Sequence, residues 1–169
     1  MYHFMRNMPA FSIAFFCLLS ASLYAQNSAV WADWNFSEAR QFDFWMGEWR
    51  VNNRFIQEDK SWKDDGAAHV KIYRVLGGKA ILEFWDGDIR GGTPLKGFSL
   101  RFYDRKIKQW RLALNWPGPN RPGFGFLDGQ FRHGRGEFFS TSHDTAGKEI
   151  ISRYSFADVS PTSFRWDDG

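Results

Sequence analysis

The residues whose types most readily carry metal binding or proton transfer are His69, His133 and His143. No two of them stand at a metal-ligand spacing, so no metal site is expected and they read as surface or hydrogen-bonded histidines. Axial ligation of haem iron by one of them is the single cofactor chemistry the sequence leaves open. Asp86-Gly87-Asp88 has the start of a calcium loop without the further acidic positions, and reads as a turn. No serine sits in a glycine-flanked nucleophile elbow, and no phosphate-cradling loop is present. A base such as Glu48 or His143 can serve a reaction without a motif, but no catalytic residue is assigned.

A second group of candidates comes from the strands. Glu83, Arg101, Arg111 and Arg153 fall on the face opposite the large apolar residues. Pointing outward, they are cross-strand charge pairs in water, each worth little. Any that point inward can clamp a carboxylate, as arginine does bidentately.

The third group is aromatic. Nine Trp and eighteen Phe in 169 residues imply a core built of rings or a cavity lined by them. A stripe of Leu82, Phe84, Phe98, Leu100, Phe102, Trp110, Leu112, Leu114, Trp116, Phe139, Tyr154 and Phe156 is expected to face the interior. A barrel of about eight strands can hold one small ligand. Trp49, Phe84, Phe102, Trp110, Leu112, Trp116, Phe139 and Tyr154 are the expected ligand-binding wall.

The elements that must position these residues follow from periodicity. In Gln41-Phe42-Asp43-Phe44-Trp45-Met46-Gly47-Glu48-Trp49-Arg50-Val51 a helical spacing of aromatics gives way to alternation, which marks an element boundary. Ser37 can cap a short helix with Glu38 in its first turn, and Gly47 can end it at little steric cost. Trp49 reads as the plug closing one end of a barrel.

Period-two strands follow: about 48–56, 67–76, 80–85, 97–104, 110–116, 123–127, 130–133, 137–143, 149–159 and a last one starting at Ser163. Asp64-Asp65-Gly66, Gly77-Gly78, Asp86-Gly87 and Asp128-Gly129 read as loop or turn signals. Three prolines make 117–122 a connecting loop. With no βαβ spacing, the fold class is all-β: an antiparallel barrel of about 8–10 strands with a short N-terminal helix. Asp167-Asp168-Gly169 after an aromatic strand is again a hairpin signal, so a further C-terminal strand is expected beyond it.

Composition and the first segment bound the setting. Lys+Arg 22 against Asp+Glu 19 gives +3 with no basic run, which excludes a nucleic-acid footprint. Met1–Met8 carries one Arg and no acid, Ala10–Leu23 is apolar, and Leu23-Tyr24-Ala25 ends on a small residue. This is the layout of a secretory signal peptide over residues 1–25, too short for a permanent membrane span. Residues 26–169 then form a single domain, periplasmic or secreted. Cys17, the only cysteine, lies inside the signal, so the mature chain makes no disulfide and no thiolate site. No feature sets an oligomeric state.

Gly47-Glu48-Trp49 resembles the glycine-any-tryptophan signature of the calycins, the lipocalin-like barrels. The longer block Phe42 to Trp49 resembles the opening of an exported bacterial lipocalin-like family of unknown function. The likeness continues through Ile81–Trp85, Gly97–Asp104, Trp110, Arg153–Phe156 and Ser163–Trp166. The resemblance implies a calycin barrel and carries no catalytic residues. It also implies an arginine stacked on the signature tryptophan, for which Arg165 is the candidate. The leading expectation is an exported barrel binding a small apolar or amphipathic molecule. The alternatives are a barrel enzyme, which a polar pair buried in the cavity would support, and a structural or interaction protein with a filled core.

Overall fold

The computed structural model describes residue 34, 36–89, 93–117 and 123–169. The expected signal peptide, Cys17 and most of the 117–122 loop lie outside these residues. Ser37–Gly169 forms one compact unit. It is all-β: nine antiparallel strands joined in simple sequence order, β1 (Gly47–Ile56), β2 (Trp62–Val75), β3 (Ala80–Ile89), β4 (Thr93–Asp104), β5 (Gln109–Asn115), β6 (Gly125–Arg132), β7 (Arg135–His143), β8 (Glu149–Ala157) and β9 (Arg165–Asp168). The sheet curls on itself into a half-barrel. Trp85 of β3 meets Trp166 of β9 at 5.7 Å between ring centroids, and Trp49 of β1 meets Phe164, just before β9, at 4.9 Å. The two end strands thus approach through side chains rather than through a ladder.

One end is closed by the segment preceding β1. The expected short helix lies there as two 3₁₀ turns, Ser37–Arg40 and Asp43–Trp45. Ser37 donates its hydroxyl to Glu38 Oε2 at 2.8 Å. Gly47, at φ +106°, turns the chain into β1 at no steric cost.

The plug is Phe42, 0% exposed. Its ring packs edge-on against Trp110, Phe131 and Phe156 and stacks on Phe138. Burial of a ring this size is worth about 1.5–3 kcal/mol. Polar clamps hold it in place. Arg74 of β2 donates to the Ala39 carbonyl at 3.1 Å and pairs with Asp43, and the Trp110 indole donates to Gln41 Oε1 at 3.0 Å. Trp49 is therefore not the plug. It is half-buried, and its indole N–H donates to the Trp45 carbonyl at 3.1 Å.

The register corrects several sequence expectations. Asp128-Gly129 is not a turn, because β6 runs unbroken through it. Asp128 points outward and takes two hydrogen bonds from Arg111, at 2.7 and 2.8 Å. At Gly129 a β-carbon would sit 1.9 Å from the Glu137 carbonyl, so only glycine lets β7 approach. Asp64-Asp65-Gly66 and Asp86-Gly87 likewise lie inside β2 and β3.

The two faces of β3 and β4 are also reversed. Trp85, Glu83 and Ile81 pair with Gly97, Ser99 and Arg101 on the inner face, so Leu82, Phe84, Phe98, Leu100 and Phe102 point outward. Phe84 is 48% exposed, as Phe139 of β7 is 45%.

Candidate functional site

Register decides which side chains share the interior. Val70, Trp85 and Gly97 lie in one cross-strand row, and Ile72, Glu83, Ser99 and Leu114 in the next. Trp116 shares the inner face with Leu114, and Gly97 makes room for it. A β-carbon at Gly97 would lie 2.2 Å from the Trp116 ring.

Between the plug and the approach of β1 to β9 lies a cavity of about 680 Å³. Its aromatic wall includes Trp45, Trp85, Trp116, Tyr154 and Trp166, with Trp49 and Trp62 nearer the β1–β2 side. This volume is within the range of small-molecule sites. Trp49, Trp116 and Tyr154 of the expected wall stand on it. Trp110 and Leu112 face inward but are packed away from the cavity, Trp110 directly on Phe42. Phe84, Phe102 and Phe139 are on the outer face and do not reach it, because β3, β4 and β7 present the opposite alternation.

At the closed end sits a buried polar cluster that apolar packing does not explain. Arg101, 3% exposed, donates from Nη2 to Glu83 Oε2 at 2.9 Å. Ser99 donates its hydroxyl to the same oxygen. The guanidinium carbon lies 3.4 Å from the centroid of the Trp45 ring, with Phe42 and Phe156 also facing it at 5.1 and 5.3 Å. Burial pulls the Arg101 pKa down to about 10, against the opposing pull of Glu83, so the guanidinium stays charged at neutral pH. A buried ion pair is weak support for stability, since desolvation of both ions offsets their attraction. Its place on a cavity wall makes it a functional candidate.

The outward expectation for Glu83 and Arg101 is therefore overturned, while Arg111 and Arg153 lie on the outer face as expected. Arg165 does not stack on Trp49. Its partners are Asp158 at 2.9 Å and Asp167 at 3.3 Å, while Arg101 lies over Trp45 and Arg54 over Trp62.

The hydrogen-bond inventory of the wall is one-sided. Arg101 Nε and Nη1 and the indole nitrogens of Trp45, Trp85 and Trp166 are buried with no acceptor among the described residues. All five are donors, and all four residues border the cavity. The sequence singled out Arg101 but not these three tryptophans. Strand register places two of them, Trp85 opposite Gly97 and Trp166 opposite Phe156.

Other chemistry candidates lie elsewhere. His69, His133 and His143 are exposed and do not border the cavity. Glu48 is exposed and faces Lys71 at 3.3 Å. No helix among the described residues is long and apolar enough to cross a membrane. No protein-family model matches the chain, and no curated protein matches it either.

Proposed function

We propose that this chain is an exported, lipocalin-like binding module whose curled sheet holds a small amphipathic molecule in its interior. The observation that carries this reading is the cavity of about 680 Å³, walled by tryptophan and tyrosine, with a buried charged pair at its closed end. Rings supply apolar area for a hydrocarbon body, and the few convergent polar groups supply orientation. The apolar run at the N-terminus motivates export to the periplasm or medium.

Native mass spectrometry, with a visible absorption scan, on the mature protein taken from its own compartment tests this. The expected result is a reproducible extra mass that is lost on denaturation. A clean ligand-free mass contradicts it.

A second reading, an enzyme built into the cavity, draws on the same Glu83–Arg101 pair. It is the weaker one. The pair is engaged with Ser99 and with itself, and the side chains best suited to proton transfer, His69, His133, His143 and Glu48, stand outside.

A further inference from the structure

The five donors without acceptors fall at two levels of the cavity. Arg101 and Trp45 form its floor, in van der Waals contact with one another. Trp85 and Trp166 meet further along, where Trp85 stands opposite Gly97, two inward rows from Arg101. Buried polar groups are almost always satisfied, and each exception asks for a partner. A surplus made of donors alone asks for acceptors.

The sign of the missing partner's charge follows from Glu83. Arg101 is already neutralised by a carboxylate 2.9 Å away, so the floor as a whole carries no net charge. A second anion there would be buried beside Glu83 with no cation of its own, which is costly. An uncharged oxygen takes hydrogen bonds from Arg101 Nε or Nη1 without that cost. The rim does not bias the choice, since it mixes Arg50, Arg54 and Arg165 with Asp64, Asp167 and Asp168.

Resting on the binding reading above, we infer that the ligand is an uncharged amphipathic molecule that presents an oxygen acceptor, of the amide, ester, ketone or alcohol class, to Arg101 and Trp45 at the cavity floor. Its body then passes Trp85 and Trp166, where a second acceptor finds two further N–H groups. These nitrogens are buried, so seating an acceptor shifts the indoles and alters their fluorescence.

The test is a titration of the full mature protein with decanamide, decanoate and decylamine, read by tryptophan emission. These share one hydrocarbon body and differ in head group: neutral acceptor, anion, and a cation at neutral pH. Decanamide is expected to bind most tightly, by about tenfold over either ion, the size of one good buried hydrogen bond. In Glu83→Gln the floor gains net positive charge at constant shape. Decanoate should then overtake decanamide.

Decanoate binding as well as decanamide to the parent protein would overturn the uncharged assignment and leave the binding module standing. Equal binding of decanamide and decylamine would show that water, not the ligand, satisfies the donors, and would overturn it too. No saturable response to any of the three overturns both readings. Should Glu83→Gln fail to fold, the ranking on the parent protein still decides.

Discussion

The Arg101 guanidinium lies 3.4 Å over the Trp45 ring, which ties the plug before β1 to the inner face of β4. Cation–π contacts of this kind, desolvated, contribute on the order of 2 kcal/mol. The contact places a charge where the fold would otherwise be apolar, and Glu83 answers it from β3.

Removing one member of that pair should be worse than removing both. Arg101→Met keeps a flexible stem over Trp45 and strands the Glu83 carboxylate in the interior. It is expected to cost about 3–5 kcal/mol, the usual penalty for breaking a buried pair. The double variant Arg101→Met, Glu83→Leu should recover most of it. Urea unfolding of the single and double variants measures this, and a double variant no better than the single contradicts the account.

Phe42, rather than the signature tryptophan, should dominate the stability of the closed end. Phe42→Ala empties a site walled by Trp110, Phe131, Phe138 and Phe156 and is expected to cost about 3–5 kcal/mol. Trp49→Ala, at a half-buried position, should cost clearly less. The comparison of unfolding free energies fails the account if Trp49→Ala proves the more damaging.

Gly97 should be a binding position although it touches no ligand. Gly97→Ala drives a methyl group into the Trp116 ring and the Asn115 carbonyl, at 2.2 and 2.7 Å. The expected cost is about 1–3 kcal/mol from overpacking, with weakened ligand binding as Trp116 swings off the wall. A variant that retains both stability and ligand affinity would show that the contact yields freely.

Glu38 gives a pH signature to the plug. The Ser37 hydroxyl, first, and the backbone hold its carboxyl below the usual glutamate value. The folded chain therefore binds this proton less tightly than the unfolded one. The group's contribution is present above the ordinary glutamate range and is lost as pH falls through the lowered folded value. Ser37→Ala should move the Glu38 titration midpoint upward in a carboxyl-carbon NMR titration. An unmoved midpoint excludes the hydroxyl as the cause.

Much of the fold was legible in sequence because alternation and turn chemistry are local. The boundary at Gly47, the hairpin at Gly77-Gly78 and an antiparallel run of about 8–10 strands all follow from period and punctuation, with 123–127 and 130–133 joined in the structure as the single strand β6. Side assignment was not local. The rule that large apolar residues face inward fails on β3 and β4, where Phe84, Phe98 and Phe102 lie outside and Glu83, Ser99 and Arg101 lie inside.

That reversal is offset in part, because Ser99 and Arg101 Nη2 both donate to Glu83 across the ladder, while Arg101 Nε and Nη1 are left without acceptors. It also explains the misread Asp-Gly pairs. At Asp128-Gly129 the aspartate is an outward partner for Arg111 and the glycine an inward gap for β7, a division of labour that looks like a turn until the neighbouring strands are placed. The candidate site inherits both errors. Trp116 and Tyr154, expected from alternation, and Trp49, expected at the boundary block, border the cavity, while the sequence did not place Trp45, Trp85 and Trp166 there.

The most direct test of the central claim is to follow the indole N–H resonances of the mature protein by NMR during titration with decanamide. The account predicts that the signals of Trp45, Trp85 and Trp166 move saturably, since these bring buried donors to the cavity. Trp110, whose N–H already donates to Gln41 in the plug, should stay in place. Movement of Trp110 with the other three silent, or no movement at all, would contradict a ligand seated in this cavity.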